Sequence, residues 1–96
     1  MMEIRKTDVF AKWIDNLVDI PARARVLARI DRLAEGNPGD AKALGGGVAE
    51  MRIDYGPGYR VYYMVRKREI IVLLAGGDKS SQARDIRTAL RLAQNL

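Results

Sequence analysis

The chain contains neither cysteine nor histidine. Without cysteine there is no disulfide framework, no thiolate nucleophile and no sulfur-ligated metal, and nothing requires an oxidising compartment. Without histidine the commonest acid–base group and the commonest zinc ligand are also missing. Any catalysis must therefore use Lys, Arg, Tyr, Asp or Glu. Aromatic residues are few, with one Phe, one Trp and four Tyr among 96 residues. No apolar run approaches the roughly 18 residues of a membrane span, and Met1-Met2-Glu3-Ile4-Arg5-Lys6 lacks the apolar centre of a secretory signal. The expected location is the cytoplasm, away from membranes. Asp54 and Asp78 have no spacing that assures the convergent carboxylates of a magnesium site, so neither metal nor cofactor is expected.

What is present describes a small folded basic protein. Apolar residues make up 48% and charged residues 30%, an ordinary balance for a chain that folds. Lys plus Arg number 17 against 12 Asp plus Glu, a net charge of +5 that favours an anionic partner such as nucleic acid or an acidic protein. The length suits a single domain, 1–96, with one modest core.

Ile4 and its neighbours allow a short first strand. Thr7 or Asp8 can cap a helix whose apolar positions Val9, Phe10, Trp13, Ile14 and Leu17 recur at helical spacing. Asp19, followed by Pro21, starts a second helix with an apolar stripe of Val26, Leu27, Ile30, Leu33 and Ala34. Arg25, Arg29 and Arg32 lie on its other side, either as a solvated face or as a contact to nucleic acid or another subunit. Gly36-Asn37-Pro38-Gly39-Asp40 stops this helix, and Lys42 to Gly47 is expected to be a loop.

From Glu50 to Tyr55 the pattern alternates, sending Met51, Ile53 and Tyr55 to one face and Glu50, Arg52 and Asp54 to the other. Tyr59, Val61, Tyr63 and Val65 alternate likewise against Arg60, Tyr62, Met64 and Arg66, and Pro57-Gly58 suits the centre of a type II turn between the two runs. After a polar turn at Arg66-Lys67-Arg68-Glu69, Ile70 to Ala75 is apolar throughout, as in a central strand covered on both faces. From about Ser80, Ala83, Ile86, Ala89, Leu90 and Ala93 mark a closing helix with Arg84, Arg87 and Arg91 outward. The order β-α-α-β-β-β-α predicts an α+β fold: a twisted antiparallel sheet with helices packed on one face and the other face partly open.

The open face should carry Arg60, Arg52 from the neighbouring strand, and Lys79 beyond the end of the central strand. Three cations cannot be buried together cheaply without an anion, so they stay wet or await a charged ligand. An arginine fork holds phosphate oxygens bidentately and stabilises the added charge of a pentacovalent transition state. Ion pairs with Glu50 and Asp54 are the plain structural alternative. Tyr59 and Tyr63 share a face with Val61 and Val65 and read as core. Tyr62, on the Arg60 face, is expected to contact a ligand, because aromatic rings stack on splayed bases. Gly76-Gly77 lacks the Walker pattern and reads as a tight strand-to-helix turn.

Thr7-Asp8-Val9-Phe10-Ala11-Lys12-Trp13, Gly36-Asn37-Pro38-Gly39-Asp40, the run from Glu50 to Tyr63, and Gly76-Gly77-Asp78-Lys79-Ser80-Ser81-Gln82 with Asp85-Ile86 following carry a resemblance that spans practically the whole chain. The sequence resembles toxins of the RelE/ParE superfamily, and within it the HigB-like group of addiction module killer proteins. The Gly-Tyr-Arg element is shared across the superfamily, whereas Gly-Gly-Asp-Lys is more particular to this group. The resemblance implies a RelE-like fold and the toxin of a type II toxin–antitoxin module. Its partners would be a cognate antitoxin, commonly a helix-turn-helix protein, and mRNA on the ribosome.

The implied activity is a metal-independent endoribonuclease, an mRNA interferase that arrests translation. Arg60 and Lys79 match the basic catalytic positions, and Arg52 lies near the family's other basic residues. Tyr62, Arg84 and Lys42 are the RNA-binding candidates. The family's C-terminal tyrosine or histidine has no counterpart, since Arg84-Asp85-Ile86 stands in that region. The implied chemistry is attack of a ribose 2′-oxygen on the adjacent phosphorus. Two alternatives accompany it: a non-nuclease ParE-like toxin acting on DNA gyrase, and an inactive antitoxin-binding regulator.

Overall fold

In a computed structural model that describes residues 1–96, Thr7 and Asp19 start the first two helices with their own side chains. The Thr7 hydroxyl accepts from Phe10 N–H at 3.1 Å and donates to the Leu74 carbonyl at 2.6 Å, so one side chain caps a helix and ties it to a strand. Asp19 accepts from Ala22 N–H at 3.1 Å. The elements run β1 (Glu3–Lys6), α1 (Asp8–Asp15), α2 (Ile20–Ala34), β2 (Ala41–Gly45), β3 (Val48–Ile53), β4 (Tyr59–Arg66), β5 (Ile70–Gly77) and α3 (Gln82–Gln94). A single 3-10 turn, Lys79–Ser81, joins β5 to α3.

All strands form one sheet in the order β1-β5-β4-β3-β2. Two of its features correct the sequence reading. The segment expected to be a loop contains β2, which pairs antiparallel with β3 through Ala41 opposite Met51 and Lys42 opposite Glu50. As an edge strand β2 needs backbone hydrogen bonds to one neighbour only, so its sparse apolar content and its glycines conceal it. The sheet is also mixed rather than antiparallel, because β1 lies parallel to β5 with Ile4 opposite Ile71. The α+β class stands, with five strands and three helices.

The helices cover both faces, which corrects the expectation that they share one. Phe10 and Ile14 of α1 and Ala22, Val26, Ile30 and Leu33 of α2 pack on Met51, Ile53, Tyr59, Val61, Tyr63, Ile71 and Leu73. Tyr59 and Tyr63 are thus core, as their alternation with Val61 indicated. On the opposite face α3 sets Ala89, with Ile86, Leu90 and Ala93, against Val48, Tyr62, Val72 and Leu74. A strand apolar on both sides, as Ile70 to Ala75 is, requires a helix on each.

Turns and a bulge complete the frame. The β3–β4 connection closes with a hydrogen bond from Gly58 N–H to Tyr55 carbonyl at 3.2 Å, one residue earlier than a turn centred on Pro57-Gly58. Its Gly58 has φ +80°, a left-handed value that glycine adopts without strain. Between Tyr62 and Tyr63 the β4–β5 register shifts, passing from Ala75 to Leu73. Beyond the bulge, Gly76 lies against the Trp13 ring and Gly77 against the Asp85 carboxylate, so closely that a Cβ at either would overlap its neighbour. No helix is long and apolar enough to cross a membrane.

Candidate functional site

The ladder sets two arginines face to face. Arg60 on β4 is opposite Arg52 on β3, and on its other side opposite Gly77 of β5. Like charges directly opposite repel, and each arginine is accordingly met by a carboxylate. Arg52 Nη2 lies 3.2 Å from Asp40 Oδ1, while Arg60 Nε lies 3.6 Å from Glu50 Oε2. Arg60 is 12% exposed at its side chain and Arg52 43%, so the first is held and the second reaches water.

Glu50 is the centre of this arrangement. It is 0% exposed, receives the Gln82 amide of α3 at 3.0 Å, and has Lys42 Nζ 4.0 Å from its Oε1. A buried carboxylate needs such compensation, and here cations from β2 and β4 and an amide from α3 supply it. The sequence pattern marks Glu50 only as an ion-pair partner on an open face. The signal was a lone acidic residue between Val48 and Met51, but its burial depends on β2 and α3 both closing over it.

Lys79 enters from the other side. Its N–H donates to the Pro57 carbonyl at 3.3 Å, and a methyl group built on Gly58 would lie 3.4 Å from Arg60 Nη1 and 3.6 Å from Lys79 Cβ. The Arg60 guanidinium and the Lys79 stem therefore flank the same short stretch of backbone. Arg60 Nη1 donates to the Gly58 carbonyl at 2.9 Å, which fixes the guanidinium plane and leaves Nη2 without a protein partner. Asp78 caps the turn that carries Lys79, accepting from Ser80 N–H at 2.8 Å. Hydrogen bonding from the Ser80 side chain, then from the backbone, with Arg60's charge adding to it, holds the Asp78 carboxyl below its usual value.

Arg52, Arg60, Gly58, Asp40 and Asp54 line a hollow of about 230 Å³. The two arginine forks that line it can bind an anion of phosphate size. No group of three or more metal-ligating side chains gathers anywhere in the chain.

The other sequence candidates fall in different places. Lys42 stands beside Glu50, half exposed, on the β2 side of the cluster. Arg84, 74% exposed, is paired with Asp85 at 3.8 Å and joined to none of the residues above by an ion pair or hydrogen bond. Tyr62 corrects the reading most directly: expected to meet ligand, it is 0% exposed beneath α3. Burial, and next the charge of Glu50, push its phenol well above the usual value. Its strand position on the Arg60 face was right; the sequence pattern did not show that α3 covers that part of the face.

Arg52, Arg60 and Lys79 all lie within residues 12–96, which match the family model described as phage derived protein Gp49-like (DUF891). An uncharacterized protein of Haemophilus influenzae is 45% identical over 95 residues, covering 99% of this chain and 96% of that protein. Because the family match runs from within α1 to the last residue, enclosing both halves of the basic cluster and the helix that covers Glu50, the chain belongs to the phage-derived Gp49-like family, a toxin-type family of the RelE/HigB kind.

Proposed function

We propose that the chain is the toxin of a type II toxin–antitoxin module and that it cuts mRNA on the ribosome, in the cytoplasm. A toxin-type family implies an antitoxin partner, here read as a helix-turn-helix protein of the HigB-associated kind. The observations that carry the nuclease reading are that Arg52 and Arg60 line one shallow hollow and that Arg60 and the Lys79 stem flank Gly58 at its edge.

In this mechanism the ribose 2′-oxygen attacks the adjacent phosphorus as its proton passes to water. The bond from phosphorus to the 5′-oxygen breaks, and a 2′,3′-cyclic phosphate remains. Arg60, braced by Glu50 and the Gly58 carbonyl, donates to the non-bridging oxygens and stabilises their added charge. Lys79 gives a proton to the departing 5′-oxygen, and Arg52 orients the chain. Lys42 and Arg84 contribute charge along the approach.

Arg60→Ala and Lys79→Ala should each abolish growth arrest on induction and remove the cleavage sites seen by primer extension, with circular dichroism unchanged. Transcripts cut as before in both variants would refute the assignment. Growth arrest by the wild type with intact transcripts would instead indicate a target such as DNA gyrase.

A further inference from the structure

On α2, Arg25, Arg29 and Arg32 are spaced by four and three residues, which aligns them on one side of the helix over a rise of about 10 Å. None of the three forms an ion pair. Arg29 is fixed by the backbone, donating to the Arg52 carbonyl at 2.7 Å and to the Pro38 carbonyl at 3.1 Å. Arg25 sits over the Tyr55 ring, its Cζ 4.5 Å from the ring centre. With Ala28, Ile53 and Asp54 these arginines line a second hollow of about 320 Å³. Ile53 and Asp54 also line the Arg52–Arg60 hollow, so the two meet at the end of β3.

We propose that the α2 hollow is a second phosphate subsite, which holds the backbone of a single-stranded RNA whose scissile linkage occupies the Arg60 hollow. This rests on the nuclease reading above. Three guanidinium groups in a row, none in an ion pair, repel one another and release counterions when phosphates replace the ionic atmosphere. Arg29 links the two hollows rigidly, since the residue it anchors is Arg52 itself. Arg25, held over Tyr55, puts a guanidinium and an aromatic ring side by side, both groups on which a base can stack. Asp54, exposed and without an ion pair at the junction, accepts hydroxyl groups; that suits ribose better than the carboxylates of an acidic peptide.

The test compares a labelled dinucleotide and a labelled octanucleotide of single-stranded RNA, bound to Lys79→Ala protein so that neither is cut. Adding Arg25→Gln and Arg32→Gln leaves the structural Arg29 in place. The octanucleotide should lose affinity and its log–log salt dependence should flatten by about 1.4, two phosphates at about 0.7 each, while dinucleotide binding stays unchanged. If octanucleotide affinity and salt slope survive this change but are lost with Arg60→Ala, the second subsite is wrong and the nuclease reading stands. Unchanged RNA binding together with lost capture of an acidic antitoxin would likewise overturn the subsite in favour of a protein contact. If neither the Lys79→Ala protein nor the wild type binds the octanucleotide, the second subsite is wrong, while the nuclease reading is decided separately by primer extension.

Discussion

The two faces of the sheet bury different things. Under α1 and α2 lies a continuous cluster of 14 buried residues, apolar apart from the hydroxyls of Tyr59 and Tyr63. Under α3 the cluster has six members and stops where Glu50, Arg60 and Arg52 begin. The first face can be filled to near-crystalline density by apolar groups alone and so supplies most of the stability. The second gives up part of its apolar contact to hold a buried carboxylate, and gains fixed cations beside a hollow. One sheet thus separates what folds the protein from what can meet an anion, and β4 serves both through its alternation.

Each of the following changes tests that separation. Phe10→Ala, on the apolar face, should cost about 3–5 kcal/mol in denaturant unfolding and reduce activity only as far as folded protein is lost. Gly76→Ala, which forces the Trp13 ring to move, should rank close behind by the same measurement. Glu50→Gln should cost about 1–3 kcal/mol, because Arg60 loses its buried countercharge. Cleavage by the folded fraction should nevertheless fall further than that, since the guanidinium is released; full activity per folded molecule would show that Glu50 does not brace it.

Tyr62→Phe should leave cleavage intact and change stability by less than about 1 kcal/mol, as the hydroxyl it removes lies buried beside the Glu50 carboxylate without a well-aligned hydrogen bond. A large activity loss there would restore the ring to the ligand-binding surface. The smallest effect belongs to Asp78. Its carboxyl lies below the ordinary value near 3.8 in the folded chain, so the stability it contributes is complete above that pH and is lost as pH falls through the lowered value. Asp78→Asn should lack this acid-dependent part when denaturation midpoints are compared through the acid range.

Much of the frame was legible because it rests on local physics. Thr7 and Asp19 announce their helices by side chains that cap the next turn, and period-two alternation separates Met51 and Ile53 from Glu50 and Arg52. The doubly apolar run at Ile70 to Ala75 implied cover on both sides, a consequence the one-sided expectation for the helices did not draw. The β2 strand was hidden because an edge strand with three left-handed glycines at its end, Gly45 to Gly47, has no periodic signature. Among the site residues, Arg60 and Arg52 could be placed on a common face from alternation alone. Glu50 and Tyr62 could not be understood that way, since both are defined by what lies over them.

The sequence by itself determined which residues share a face, where helices begin and that cations of separate strands point the same way. These follow from backbone periodicity and from hydrogen bonds a few residues long. Tertiary structure alone decided that β1 runs parallel to β5, that α3 seals Tyr62, and that Glu50 lies among Lys42, Arg60 and Gln82. Burial is a property of elements distant along the chain that happen to meet. A carboxylate beside an arginine therefore becomes a brace only once β2 and α3 have removed it from water.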